Sequence, residues 1–298
     1  MEKLLFTGGT GFLGSNVKPI LDKTYDVTTI GITDRDMLKA NLVAGVPDLP
    51  ERYDVVLHAA GKAHVYPKTD SEVKAFYDVN YQGTVNLCKA LEKVGLPKSF
   101  VFISTMDVYG TAVGENIAED HPLEPTSHYA KSKLRAEEFL IKWAADNGVI
   151  LGILRPSLMT GPNPPGNLKS MINGIKKGYY VNVAGGNTRK SLMMIQDIAY
   201  LTMKIENIGG TYNVCDDRHP SYKELGECIA KQLGKHNPIN IPYWMAWCMA
   251  KIGDVLTFLP INTYRLGQLS QTTTYSNAKA KKALDWQPLD VIENFKIY

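Results

Sequence analysis

The sequence predicts an α/β protein built on a doubly wound parallel sheet (Rossmann type), with a smaller C-terminal α+β lobe. Three observations carry that reading. An apolar strand runs through a glycine turn into a helix at residues 3–14, buried strands alternate with helices through the first half, and small or hydroxyl residues follow several strands. Crossovers in such sheets are right-handed, and ligands gather at the carboxyl ends of the strands. Thr7, Ala59 and Ser104–Thr105 should therefore converge in space although they are far apart in sequence.

The first strand and its turn read Lys3-Leu-Leu-Phe-Thr-Gly-Gly-Thr-Gly-Phe-Leu-Gly14. Glycines there let the backbone turn tightly and approach a pyrophosphate without Cβ interference, and a helix beginning near Phe12, with Leu13 next, aims its free N–H groups at that phosphate. The spacing fits Gly-x-x-Gly-x-x-Gly through Gly8, Gly11 and Gly14, and also Gly-x-Gly-x-x-Gly through Gly9, Gly11 and Gly14. A second strand, rich in β-branched residues, starts at Tyr25 and ends at Gly31. That end usually carries an acid for a ribose 2′-OH, but here Gly31 stands there, with Thr33, Asp34 and Arg35 beyond. Arg35 suits a 2′-phosphate and Asp34 a 2′-OH, so the spacing leaves the dinucleotide open.

Tyr53 to Lys62 forms the next strand, whose small residues Ala59, Ala60 and Gly61 let a cofactor lie across its edge. His58, in an apolar run, is expected to be a packed, hydrogen-bonded residue. A helix from about Ser71 to Val94 contains Asn80, and Ser99 to Thr105 makes the following strand. Tyr129-Ala-Lys-Ser-Lys133 opens an amphipathic helix that puts Tyr129 and Lys133, four apart, on one face. A lysine ammonium near a phenol lowers its pKa and makes it a usable acid/base, while Thr105 is placed to hydrogen-bond the reacting oxygen.

Composition excludes other classes. A chain of 298 residues, 44% apolar and 21% charged, can bury one large core with an appended lobe. With 33 Lys+Arg against 30 Asp+Glu and no dense basic run, no nucleic-acid groove is indicated, and an anionic ligand must be met by local groups. Cys88, Cys215, Cys228 and Cys248 lack Cys-x-x-Cys spacing, which suggests neither a metal site nor a disulfide framework and fits a reducing, cytoplasmic location. No secretory signal precedes the first strand.

Taken together, the motifs Thr7-Gly-Gly-Thr-Gly-Phe-Leu-Gly14, His58-Ala-Ala-Gly61, Asn80-x-x-Gly83-Thr84, Ile103-Ser-Thr-x-x-Val-Tyr-Gly110, Tyr129-x-x-x-Lys133 and Leu154-Arg-Pro156 with Gly161-Pro162 resemble an extended short-chain dehydrogenase/reductase of the NAD-dependent epimerase/dehydratase family. The resemblance covers nearly the whole chain. It implies Thr105, Tyr129 and Lys133 as catalytic residues, NAD (NADP possible) as cofactor, and Lys133 on the nicotinamide ribose. Ser104, Asn80 and Pro156 fall in its cofactor-lining segments, and Asn41–Leu42 resembles the pair that borders the adenine, with Asn replacing Asp. Gly166-Asn167-Leu168 resembles the segment that contacts a sugar-nucleotide diphosphate. Arg189 or Lys190, and Arg265, resemble its phosphate-binding cations. The implied substrate is a nucleotide sugar of polysaccharide biosynthesis and the implied assembly a homodimer through the helices containing Asn80 and Tyr129.

The departures restrict the chemistry. Dehydratases carry Thr-Asp-Glu where this chain has Thr105-Met106-Asp107, so elimination of water is disfavoured, while Asp107 is still expected to line the sugar pocket. A nucleotide-sugar 4-epimerase is the leading reading, a 4-keto-sugar reductase the second, and a non-catalytic nucleotide sensor or scaffold a distant third. Residues 1–160, with 190–215 returning, are expected to bind the dinucleotide, and 161–189 with 216–298 to form the substrate lobe. The apolar stretch from Ile241 is too short to span a bilayer and reads as a core or subunit-contact helix, and Met203, Trp244, Trp247 and Met249 are expected in the core. A peripheral contact of this stretch with a membrane-bound glycan-assembly partner is a weaker alternative.

Overall fold

The computed structural model describes residues 1–63, 67–255 and 262–298, apart from the side chains of Val255, Tyr264, Arg265 and Gln268. β1 (Glu2–Thr7) is apolar and buried from Leu4 to Phe6, as a strand covered on both faces must be. It leads through the glycine turn into α1 (Phe12–Leu21), β2 (Tyr25–Gly31), a short β3 (Leu38–Lys39) and β4 (Val55–His58). α2 (Asp70–Tyr77) passes through a π-helical turn at Asp78–Gln82 into α3 (Gly83–Val94). The helix expected from 71 to 94 is thus interrupted, and Asn80 occupies the interruption, as single π turns often do at functional positions.

β5 (Ser99–Ile103) is followed by a 3₁₀ turn at Met106–Tyr109, β6 (Gly114–Ile117), α4 (His128–Asn147) and β7 (Ile150–Pro156). Ser127 caps α4 by accepting from the Ala130 amide, and Gly148 ends it with φ 66°. Beyond lie β8 (Leu158–Thr160), α5 (Gly166–Lys177), β9 (Val181–Val183), β10 (Leu192–Met194), α6 (Asp197–Ile205), β11 (Gly210–Val214), α7 (Tyr222–Leu233), β12 (Ile239–Ile241), α8 (Tyr243–Val255), α9 (Thr263–Ser270), β13 (Thr273–Tyr275) and α10 (Ala278–Leu284).

Seven parallel strands form the main sheet in the order β11-β7-β5-β4-β1-β2-β3. The order reverses between β1 and β4, which opens the crevice where ligands bind in such sheets. One face is covered by α1, α6 and α10 through Val17, Ile198 and Leu284, the other by α3 and α4 through Leu87, Leu140 and Trp143. A further core joins α5 and α7 through Met171 and Ile229 to the C-terminal residues Phe295 and Ile297.

Ala280, Leu284 and Trp286 pack into the sheet's own core. One expectation is corrected here. α8 touches the protein through Ala246 and Ala250, against Val183 and Leu266, while Trp244, Trp247 and Met249 are 65%, 47% and 44% exposed. Small residues form its packing stripe, and the large ones face outward. Among the described residues no helix is long and apolar enough to cross a membrane.

His58, at the end of β4, is fully buried in a hydrogen-bonded chain. The Thr84 hydroxyl donates to the Asn80 carbonyl (2.8 Å), so His58 Nε2 must donate to Thr84 (2.9 Å), which leaves Nδ1 to accept from Thr7 Oγ1 (2.6 Å). Burial pushes its pKa down to about 3. The unfolded chain, titrating near about 6.5, binds a proton below that pH that the folded chain refuses, so stability falls as pH falls through this window. Between pH 7.5 and 5 the unfolding free energy should drop by about 2 kcal/mol more in the wild type than in His58→Gln. Denaturant titrations at both pH values measure this, and equal drops in the two proteins would refute it.

Candidate active site

The site is assembled where β1, β4, β5 and α4 meet. Gly8 has φ +75°, and a Cβ there would lie 2.8 Å from the Ala60 amide nitrogen; one on Gly14 would lie 2.2 Å from the Gly9 carbonyl carbon. α1 is therefore pressed against the turn and the turn against Ala59–Ala60. Gly11, extended, precedes α1 with no side-chain cap, and its amide donates to the Gly8 carbonyl at 3.1 Å. Phe12 and Leu13 turn their side chains into the sheet's core, so they offer a ligand their backbone amides.

At the end of β2 the acid is Asp36, which the sequence reading missed. Its Oδ2 would be 2.6 Å from a Cβ on Gly31, so the loop folds back and its carboxylate fills the space a side chain on the strand end would occupy. Oδ2 accepts from the Thr33 amide (3.0 Å) and the Thr33 hydroxyl (2.7 Å), whereas Oδ1 is buried with no partner. Asp34, the expected acid, instead points outward to Lys39 at 2.5 Å. Arg35 is exposed, and its guanidinium donates to the Thr10 carbonyl of the glycine turn (3.2 Å). The glycine cradle and the orphaned Asp36 oxygen fit a dinucleotide: amides for its diphosphate, an acceptor for a ribose hydroxyl. Asn41 is exposed and accepts from the Val43 amide (3.0 Å), while the Leu42 side chain is buried in the core.

On the other side of the crevice, Thr105 caps the 3₁₀ turn, accepting from the Asp107 amide at 3.2 Å, and its side chain hydrogen-bonds Tyr129. Lys133 is buried; its ammonium donates to the Ile103 carbonyl (2.7 Å) and lies 4.5 Å from the Phe102 ring centre. A Cβ on Gly61 would sit 3.4 Å from that ammonium, so the glycine that follows β4, the end of β5 and α4 enclose one space. Burial lowers the Lys133 pKa to about 8, opposed by Glu137. Burial first, then Asp107, raise the Tyr129 phenol, against the Thr105 hydrogen bond. The lowering expected from Lys133 is not found, because the ammonium is turned to Ile103.

Asn80 is engaged within the protein, accepting from the Lys62 amide (2.7 Å) and donating to Ser132 Oγ (2.8 Å), which donates to the Tyr129 carbonyl (2.7 Å). Ser104 likewise gives its hydroxyl to Glu137. Arg155 grips that carboxylate with Nη2 at 2.6 Å and Nε at 3.1 Å, and holds the Tyr109 hydroxyl with Nη1 at 3.0 Å. Glu137 and Arg155 were not singled out from the sequence, although Glu137 follows Tyr129 and Lys133 at the same four-residue spacing. Pro156 closes β7 beside β11.

The lobe residues separate. Asn167 is exposed in the first turn of α5, while the Leu168 side chain is core. Arg189 is spent on the His219 carbonyl (2.9 Å) and Glu224 (3.4 Å). Lys190 donates to Thr273 Oγ1 (3.0 Å), and its pKa, lowered by burial, is held up by the nearby Asp107. The Arg265 side chain lies outside the described residues. Met106 is buried, and its thioether carries no proton to transfer. Among the described residues no cluster of three or more His, Cys, Asp or Glu side chains is arranged for a metal.

A reversing parallel sheet, a glycine cradle under a helix and a tyrosine–threonine pair beside a buried lysine define a dinucleotide-dependent enzyme of the extended short-chain dehydrogenase/reductase type. The chain belongs to the NAD dependent epimerase/dehydratase family, whose model matches residues 4–215. It is 29% identical over 306 residues to the N-acetyl-alpha-D-glucosaminyl-diphospho-ditrans,octacis-undecaprenol 4-epimerase of Escherichia coli O157:H7, covering 93% of this chain and 88% of that one. It is 28% identical over 245 residues to the GDP-6-deoxy-D-mannose reductase of Pseudomonas aeruginosa, covering 77% and 79%. Its fold matches the structure of RMD from Pseudomonas aeruginosa complexed with NADPH, with TM-score 0.75, 24% identity and coverage of 99% and 96%.

The Glu137–Arg155 pair gives a stability prediction. Arg155→Met leaves a buried carboxylate unpaired and should destabilise by about 3–5 kcal/mol, whereas the double variant Glu137→Leu/Arg155→Met should recover most of the loss. Denaturation midpoints of the wild type, Arg155→Met, Glu137→Leu and the double variant measure it; an Arg155→Met protein as stable as the wild type would show the bridge to be idle.

Proposed function

We propose that the protein is an NAD-dependent 4-epimerase of a nucleotide sugar, working through a transient 4-keto intermediate. The observation that supports it most is the grouping of Tyr129 and Thr105 with Lys133, which is buried and bonded to the Ile103 carbonyl, at the carboxyl end of the sheet. Bound NAD supplies a hydride acceptor for C4 and, later, a hydride donor. Tyr129 takes the proton of the C4 hydroxyl and returns it, while Thr105 hydrogen-bonds the same oxygen and holds it in line. The Gly8–Gly14 turn with the amides of Phe12 and Leu13, Asn41 and Leu42, Ala59 to Gly61, and Lys133 would hold the dinucleotide. Asp36, with one buried oxygen lacking a partner, is assigned to the adenosine ribose. That oxygen would accept from a 2′-OH and would repel a 2′-phosphate. Lys190, beside Asp107, is assigned to the substrate's phosphates, with Asp107 lining the sugar.

A second reading, NADPH-dependent reduction of a 4-keto nucleotide sugar, uses the same residues and is favoured by Arg35, whose guanidinium rests on the glycine turn. Proton NMR with UDP-glucose or UDP-N-acetylglucosamine and catalytic NAD separates the two. Inversion at C4 without net cofactor consumption is expected; stoichiometric loss of NADPH with a 4-keto substrate, and no inversion, would establish the reductase. Because the Escherichia coli relative's sugar rides on a polyprenyl diphosphate, the same assay should include that carrier.

Two variants test the roles. Tyr129→Phe should lower turnover by about 10²–10⁴-fold with NAD affinity unchanged; turnover at the wild-type rate would remove Tyr129 from the chemistry. Asp36→Asn should weaken NAD binding by about tenfold or more while leaving NADP binding the same or tighter. Equal effects on both dinucleotides in a titration would detach Asp36 from the ribose.

A further inference from the structure

We propose that α8, together with a basic groove at the far end of the ribbon that leads into it, docks this protein on the surface of an anionic phospholipid bilayer. The proposal goes beyond the sugar chemistry and does not depend on it. α8 presents Trp244, Trp247, Met249 and Ile252 to the outside at 65%, 47%, 44% and 53% exposure. Its apolar contact with the rest of the described protein runs through the Ala246/Ala250 stripe. Tryptophan is an interfacial residue, apolar in its ring and polar at its N–H, and Lys251 places its ammonium 5.5 Å from the Trp247 ring centre. A helix of 13 residues is about 20 Å long, too short to span the roughly 30 Å hydrocarbon layer, so it would lie in the interfacial plane.

The charge argument comes from the other end of the same short ribbon. β12 pairs in parallel with β9 over three residues, and α8 begins just after β12 ends. At the start of both strands a groove of about 300 Å³ is lined by Lys176, Lys177, Lys235 and His236, with no acidic side chain among its lining residues. Asp254, near the end of α8, is engaged by the Thr263 amide and hydroxyl at 3.0 Å each. Basic groove and apolar helix are thus separated by about 10 Å of strand.

A second copy of the chain fits this face poorly. A helix about 20 Å by 10 Å covers far less than the roughly 800 Å² per partner of a stable interface. An anionic bilayer offers an apolar layer to the indoles and negative charge to the lysines together.

The test uses the full-length protein with vesicles of phosphatidylcholine alone and of an equal mixture with phosphatidylglycerol. Sedimentation should carry down about tenfold more protein with the anionic vesicles, accompanied by a blue shift of tryptophan emission. Trp244→Ser/Trp247→Ser should abolish binding and Lys176→Glu/Lys177→Glu should weaken it several-fold, both with unchanged unfolding midpoints. No binding, equal binding to neutral vesicles, or a tryptophan variant that binds as the wild type would each overturn the proposal. So would a tryptophan variant that changes the oligomeric state and leaves vesicle binding intact, which would assign the face to a second copy.

Discussion

The arrangement of the crevice depends on one buried carboxylate. Glu137 is 1% exposed and shared between Arg155 of β7 and Ser104 just after β5, so it ties α4 to two strands of the sheet at once. Tyr129, Lys133 and Glu137 are spaced by four and therefore lie along one face of α4. Rotating or sliding the helix would strip a buried charge of its partner, a change that costs several kcal/mol. The phenol and the ammonium are thus held at the strand ends by a group that is itself buried. From Arg155 the polar chain continues through the Tyr109 hydroxyl to Asn213 of β11 (2.7 Å), and Asn213 donates to the Ile117 carbonyl (3.1 Å). The sheet's edge and β6 are fastened to the same hub.

Within that frame the protein's own groups favour neutral forms. Burial pushes His58 down to about 3 and Lys133 down to about 8, and it pushes the Tyr129 phenol up. Glu137 counteracts the shift on Lys133, whereas Asp107 reinforces the one on Tyr129. The phenol is therefore a weak acid until positive charge is added beside it, since Lys133 already gives a proton to the Ile103 carbonyl. A base that acquires its strength only in a loaded site does no chemistry in an unloaded one.

The fold was legible because parallel strands buried on both faces are written as unbroken apolar runs, and the glycine turn is a local signal. Tyr129, Lys133 and Thr105 were legible for a related reason: helical spacing and strand ends are local too. Asp36 was not, because its place at the end of β2 depends on a loop that folds back over a glycine, and Asp34 is the nearer acid in sequence. The π turn at Asn80 left no periodicity signal, since one extra residue per turn hardly disturbs the apolar pattern. Leu168 was read from its segment alone; its side chain fills the core beside Met171, so a ligand there would meet only its backbone. Trp244 and Trp247 were assigned to the core on residue type alone, but in α8 Ala246 and Ala250 occupy the packing stripe, and exposure of the large residues follows from that spacing.

The distribution of cations separates the two surfaces of interest. A net charge of +3 produces no broad field, so each anion-binding place must be built from nearby groups. Arg155 is consumed by Glu137 and Arg189 by Glu224 and the His219 carbonyl, so neither guanidinium is held open toward the crevice. What the strand ends offer is sparing: backbone amides at the start of α1 and buried Lys133, while Lys190 is bonded to Thr273 and balanced by Asp107. Lys176, Lys177 and Lys235 sit apart from it with no acid among the residues lining their groove. Unbalanced surface charge adds nothing to folding when it repels itself. Its presence next to an outward-facing apolar helix is accounted for by a partner that carries negative charge and hydrocarbon on the same surface, and a phospholipid bilayer has both.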